Sequence, residues 1–263
     1  MTPFAAINTF GPVPPKSSEV HLIERRPRRP RRPSHPRPLA ISHRGAHETL
    51  PENSIPAFNR AIELGAEAIE LDVHATSDGV VVVHHDPVLH AGDVPRGGRT
   101  LIAAISAQEV RDYLFAPGTR IPTLAETLEE IGTRAKVFVE IKAMDIEPLV
   151  VRCIRESSSE CSVHSFDHRI VRTVKEIFPA IRCGVLQVAR HMDPVASLRA
   201  TGAEDLWQHV DYIDEDLVTS AHAIGARVIA WTANDAAQWT ALWRFGVDGL
   251  CTDNIGELAA TAA

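Results

Sequence analysis

The sequence predicts an α/β protein folded as a TIM (β/α)8 barrel over residues 38–263, behind a disordered leader over residues 1–37. Three observations carry this expectation. Short apolar runs alternate with stretches of helical period, which implies parallel strands joined by right-handed crossovers. The runs number nine, enough for eight barrel strands and one extra. Acids, histidines and basic residues gather where these runs end, and barrel enzymes place their chemistry at the C-terminal ends of their strands. The chain has 263 residues and 44% hydrophobic content, so one domain of roughly 200–250 residues is the natural unit. A doubly wound open sheet is the rival architecture. Its nucleotide signatures, GxGxxG or GxxxxGK[ST] after a strand, do not occur.

The leader differs in composition from the rest. Residues 1–38 hold eight Lys/Arg against Glu19 and Glu24, a charge of +6, so with a total of −7 the remainder carries −13. Prolines and the arginine run between Arg25 and Arg37 leave little to pack, hence the expectation of disorder. A polybasic patch making weak peripheral contact with anionic membranes is the sharper alternative. The acidic body argues against a nucleic-acid partner. It does not argue against a phosphate substrate, because a bound cation inverts the local charge. No apolar run approaches the roughly 20 residues of a membrane span. No signal-peptide pattern opens the chain, and a cytoplasmic location is expected. Cys153, Cys161, Cys183 and Cys251 show no CxxC spacing and read as reduced, buried thiols.

From Pro38 onward the elements follow in order. Strand candidates are 39–43, 67–73, 80–85, 136–142, 161–166, 181–187, 205–209, 227–232 and 248–252, with 80–85 as the extra one. They are aliphatic and poor in aromatics, as strands covered on both faces should be. Helical period marks Ser54–Leu64, Leu124–Ile131, Pro148–Arg155, Asp214–Ile224 and Ala236–Phe245. Gly65, Gly132, Gly225 and Gly246 supply helix stops.

The strand ends carry the chemistry. Glu70 and Asp72 are two apart on one strand and share a face, while Leu71 points into the helix layer. Glu140 and Lys142 repeat the arrangement. Three carboxylates converging in one barrel mouth repel each other and are costly to desolvate, and a hard divalent cation relieves both problems. An all-oxygen donor set favours Mg²⁺ or Ca²⁺ over zinc. Carboxylates paired to arginines are the plainer alternative, but such acids displace the branched apolar residues that fill barrel layers. His43 and His85 end their strands and titrate near neutrality, which makes them the acid–base candidates. His84 should face away from His85, His90 lies in a loop, and His74 stays open because it shares a face with Asp72. Arg44 and Lys142 are placed to hold the charge of a phosphodiester. Trp231 is a candidate pocket wall, or else core.

These residues stand in an order that resembles the glycerophosphodiester phosphodiesterase family. The resemblance runs through His43-Arg44-Gly45, Pro51-Glu52-Asn53-Ser54, Glu70-Leu71-Asp72, Asp78-Gly79 and His85-Asp86. It continues through Ile121-Pro122-Thr123-Leu124, Val139-Glu140-Ile141-Lys142, Ser165-Phe166-Asp167, Trp231-Thr232-Ala233-Asn234-Asp235 and Gly246 to Asp253. It covers residues 39–255. It implies a TIM barrel of the phospholipase-C-like phosphodiesterase type that releases an alcohol and glycerol 3-phosphate from a small-molecule glycerophosphodiester. By the same resemblance His43 and His85 are general base and general acid, and Glu70, Asp72 and Glu140 are metal ligands. Arg44 and Lys142 are phosphate contacts. Glu52 and Asn53 support the His43 loop, with Glu52 a further contact to the metal site. Two departures stand out. Leu89-His90-Ala91-Gly92 follows His85-Asp86 where the family often has Leu-x-Arg-Thr, and the stretch from His85 to Ile121 leaves no room for the inserted subdomain of some relatives. A small, open site that accepts varied alcohols is expected. Lysophospholipase D or glycerophosphoinositol phosphodiesterase activity at the same site is the alternative. A binding-only barrel would have shed these acids and histidines.

Overall fold

The computed structural model describes residues 35–89, 99–116 and 118–262. Eight parallel strands form a closed ring: β1 (Leu39–His43), β2 (Ala68–Ala75), β3 (Lys136–Ile141), β4 (Cys161–Ser165), β5 (Arg182–Gln187), β6 (Asp205–His209), β7 (Arg227–Trp231) and β8 (Gly249–Thr252). Each pairs with its sequence neighbour, and β1 pairs with both β8 and β2. The extra strand, Val81–Val83, lies antiparallel on the end of β2, with Val73 opposite Val83. The expected barrel is therefore the observed one.

Eight helices return the chain: α1 (Ile55–Glu63), α2 (Leu124–Ile131), α3 (Glu147–Glu156), α4 (His168–Ile177), α5 (Ala196–Thr201), α6 (Glu215–His222), α7 (Ala236–Phe245) and α8 (Ile255–Ala262). Their starts are written locally. Thr123 and Glu126 form a capping box on α2, and Asp235 accepts from Ala237 N and Gln238 N at 2.9 Å on α7. Such caps stabilise a helix by about 1 kcal/mol each. Pro56 and Pro148 fall in first turns, where no intrahelical N–H is lost.

Apolar residues on the outer face of the strands and the inner face of the helices make the main core. A second cluster fills the barrel itself: Ile41, Ala68, Phe138, Leu186, Trp207, Ile229 and Cys251. Gly184 on β5 makes this possible. A Cβ there would stand 2.7 Å from the Trp207 ring, so only glycine lets the indole lie across the interior. Below the plug, at the starts of β5, β6 and β7, buried Asp205 accepts from Arg182 Nε at 2.8 Å and from Arg227 Nε and Nη2 at 2.8 and 2.6 Å. This clamp ties the starts of β5, β6 and β7 together.

Between β2 and α2 the chain makes an excursion. Two small hairpins and the short helix Ala107–Arg111 pack on a satellite core of Val82, Leu89, Ile102, Val110, Tyr113 and Ile121. His90, Ala91 and Gly92, the substituted part of the motif, lie outside the described residues. So do residues 1–34 of the expected leader. Its last residues are engaged: Trp243 Nε1 donates to the His35 carbonyl at 3.0 Å, and Arg37 pairs with Glu67 at 2.8 Å. All four cysteines are free thiols, and burial pushes Cys161 and Cys183 up to about 12. Among the described residues no helix is long and apolar enough to cross a membrane.

Candidate active site

The mouth of the barrel is built from the ends of β1–β4, β7 and β8 and from the segment that carries His85. The turn after β1 is tightly held. Arg44 and Asn53 both take positive φ, at 55° and 54°, and Gly45 lies at 86°. A Cβ on Gly45 would stand 2.8 Å from Ala57, so this position requires glycine. Arg44 N donates to the Glu70 carbonyl and Asn53 N to the Arg44 carbonyl, each at 2.9 Å, which ties the turn to β2.

Strand register then sets the carboxylates side by side. His43 lies opposite Glu70, Asp72 opposite Glu140, and Glu140 opposite His164. Asp72 is fully buried and heavily engaged. Asn53 Nδ2 donates to its Oδ2 at 2.9 Å, Arg44 Nε pairs with the same oxygen at 2.9 Å, and Lys142 Nζ lies 3.0 Å from Oδ1. Burial alone would raise its pKa, but Lys142, Arg44 and the Asn53 hydrogen bond outweigh it and hold the carboxyl well below the ordinary range. Glu140 goes the other way. Burial, helped by Asp72 and Glu70, pushes it up to about 8 although Lys142 Nζ sits 2.7 Å away. Glu52 pairs with Arg44 at 3.2 Å and so buttresses the turn.

Both candidate histidines carry a carboxylate on Nδ1. His43 Nδ1 bonds Asp253 Oδ1 at 2.6 Å, and His85 Nδ1 bonds Asp86 Oδ1 at 2.7 Å. Asp253 also bonds His47 Nε2 at 3.1 Å and accepts from Asn234 Nδ2 at 2.6 Å. Burial lowers the His43 pKa, yet the Asp253 bond and Glu70 raise it further, and the net shift is upward. His74 spends its Nε2 on the His85 carbonyl, 3.0 Å away, and its pKa is lowered by burial. It positions the His85 segment.

His43, Arg44, Glu70, His85, Glu140 and Lys142 line one cavity of about 200 Å³, walled by Phe166, Trp231 and others. Trp231 packs edge-on against Phe166 and His209, each at 5.3 Å. Sequence reasoning gave no role to His164, Asp253 or Asn234. His164 was within reach of the same alternation rule that found Glu70, since it too points inward near a strand end.

The donor chemistry fits a divalent cation. Ligand atoms of Glu70, Glu140 and His164 lie within 4.8 Å of one another, and Glu70 Oε2 is buried with no hydrogen-bond partner. Asp72 stands beside this group but has its oxygens on Arg44, Asn53 and Lys142.

Residues 43–257 match the profile of the Glycerophosphoryl diester phosphodiesterase family. The chain belongs to this family. A glycerophosphodiester phosphodiesterase of Caldanaerobacter subterraneus subsp. tengcongensis is 33% identical over 232 residues, which span 82% of this chain and 94% of that protein. Among solved structures, a phosphodiesterase of Oleispira antarctica in complex with the product sn-glycerol-3-phosphate superposes with a TM-score of 0.79 at 23% identity, covering 87% of this chain and 97% of that one. A glycerophosphodiester phosphodiesterase of Parabacteroides distasonis gives 0.73 at 25% identity, covering 85% and 97%. His43, Arg44, Glu70, His85, Glu140 and Lys142 all fall within the matched span and line one cavity at the barrel mouth.

Proposed function

We propose that the protein hydrolyses small glycerophosphodiesters to an alcohol and sn-glycerol 3-phosphate. In this reading Glu70, Asp72 and Glu140 hold a divalent cation and His43 and His85 transfer the protons. The observation that carries it is the pair of Asp-backed histidines facing one cavity that also holds Glu140 and Glu70, whose Oε2 is buried without a hydrogen-bond partner. The cation, when bound, polarises the phosphoryl oxygens. Arg44 and Lys142 line the same cavity and offer charged N–H groups to the phosphate. Asp253 accepts the His43 Nδ1 proton and leaves Nε2 free for the reaction.

Against the lowering by burial, the Asp253 bond to Nδ1 at 2.6 Å stabilises the imidazolium form of His43. We therefore assign His43 to protonation of the leaving alkoxide and His85, oriented by Asp86, to removal of the nucleophile's proton. This exchanges the two roles that the family resemblance implies. Asp253→Asn removes the charge that sustains the His43 proton. A general acid is active below its pKa, so the alkaline limb of the kcat/KM profile should move to lower pH in this variant. An unmoved limb would assign Asp253 to structure alone.

The reaction is tested with a panel scored by enzymatic detection of glycerol 3-phosphate. Glycerophosphocholine, glycerophosphoethanolamine and glycerophosphoglycerol should all release it. Turnover of lysophosphatidylcholine vesicles with none of the soluble diesters would replace this reading with a lysophospholipase D.

A further inference from the structure

His164 has no task in the reaction above. It sits on β4 across from Glu140, directly over the apolar plug of the barrel. Its ring lies flat on the Trp207 indole, with centroids 4.2 Å apart and planes 6° apart, and Phe138 meets it edge-on at 6.4 Å. The residue is 1% exposed, and Nδ1 is buried without a hydrogen-bond partner. A polar imidazole costs more to bury than an apolar ring of similar size, so packing alone does not account for a histidine here.

The stack does more than fill space. It fixes the plane of the imidazole and turns one edge of the ring to Glu70, with Nε2 at 3.5 Å from Glu70 Oε1. With the proton on Nδ1 the Nε2 lone pair faces a carboxylate oxygen, and with it on Nε2 the N–H reaches Glu70 only at the outer limit of a hydrogen bond. A cation between them turns both into ligands. Donor atoms bound to one cation at about 2.0–2.2 Å stand roughly 3–3.5 Å apart, which this separation matches. Glu140 completes a group whose ligand atoms lie within 4.8 Å of one another.

We propose that His164 is a nitrogen ligand of the cation at the barrel mouth. The inference rests on the cation site proposed above and changes what that site selects. Three carboxylates alone suit Mg²⁺ or Ca²⁺, which keep to oxygen. An imidazole among them favours Mn²⁺ and Co²⁺, whose affinity for nitrogen donors rises along the first transition row. The protein is thus tuned to a borderline transition cation, with His164 as the selecting residue and Trp207 as its support. A histidine kept only for stacking would leave the choice of metal untouched.

The test uses the full chain stripped by chelator and titrated with Mn²⁺, Co²⁺, Mg²⁺ and Ca²⁺ by calorimetry, with pulsed EPR on the Mn²⁺ form. Wild type should bind Mn²⁺ at least about tenfold more tightly than Mg²⁺ and show coupling to a directly bound imidazole nitrogen. His164→Gln and His164→Phe should both lose that coupling and about 10- to 100-fold of Mn²⁺ and Co²⁺ affinity, with little change for Mg²⁺. The phenylalanine variant keeps a ring on Trp207, so its loss cannot be put down to packing. His43→Ala should retain the coupling. Cation binding by wild type without nitrogen coupling, or coupling that survives in either His164 variant, overturns the role of His164 and leaves the cation site standing. Absence of any cation binding by wild type overturns both.

Discussion

Replacing His43 or His85 by alanine is expected to lower kcat by about 10²–10⁴-fold without unfolding the protein. Neither side chain is part of a hydrophobic cluster, and each lines the mouth cavity. Loss of His43 leaves Asp253 still bonded to His47 and Asn234, so the β8 end keeps its anchors. Loss of His85 removes an imidazole but not the backbone carbonyl that His74 holds. Thermal unfolding should therefore stay close to wild type while glycerol 3-phosphate release collapses. Near-wild-type turnover in either variant would remove that histidine from the reaction.

Stripping the cation with EDTA should have a comparable effect, about 10³-fold or more, reversed by added divalent metal. Glu70→Gln should be lost to rescue, because it removes a carboxylate whose Oε2 is buried without a hydrogen-bond partner. The same experiment has a proton signature. Burial raises the Glu140 pKa to about 8 against the pull of Lys142, which favours the protonated carboxyl near pH 7 in the metal-free protein. Its pKa lies above the unfolded value of about 4.5, so the metal-free fold binds the extra proton and loses stability as pH rises from about 4.5 through about 8. A cation favours the carboxylate and displaces that proton. Calorimetry in two buffers of different ionisation enthalpy should find about one proton released per cation near pH 7 and none well above pH 9. Equal heats in both buffers at pH 7 would show that Glu140 takes no part.

Much of the barrel was legible in the sequence because its strands obey simple constraints. Leu39–His43 and Asp205–His209 match their expected bounds to the residue, each a five-residue segment around buried apolar side chains that closes on a histidine. The inward carboxylates followed from alternation alone. The hairpins of the excursion were not legible. Val88–Leu89 and Thr100–Leu101 are two-residue pairings, too short to show any period, and they exist because the satellite core brings them together. The partnership of His43 with Asp253 was hidden for another reason. The residues are 210 positions apart, and only closure of β1 against β8 makes them neighbours. His164 is less legible because it is the lone titratable residue on the inward face of its strand, and only strand register sets it beside Glu140 and Glu70.

The clamp of Asp205 by Arg182 and Arg227 and the apolar plug above it give the mouth a packed base. Trp207 belongs to that plug and also carries the His164 ring. A change deep in the barrel is therefore felt at the mouth: trimming the indole, or adding a side chain at Gly184 that displaces it, would shift a cavity residue from below without touching the mouth itself.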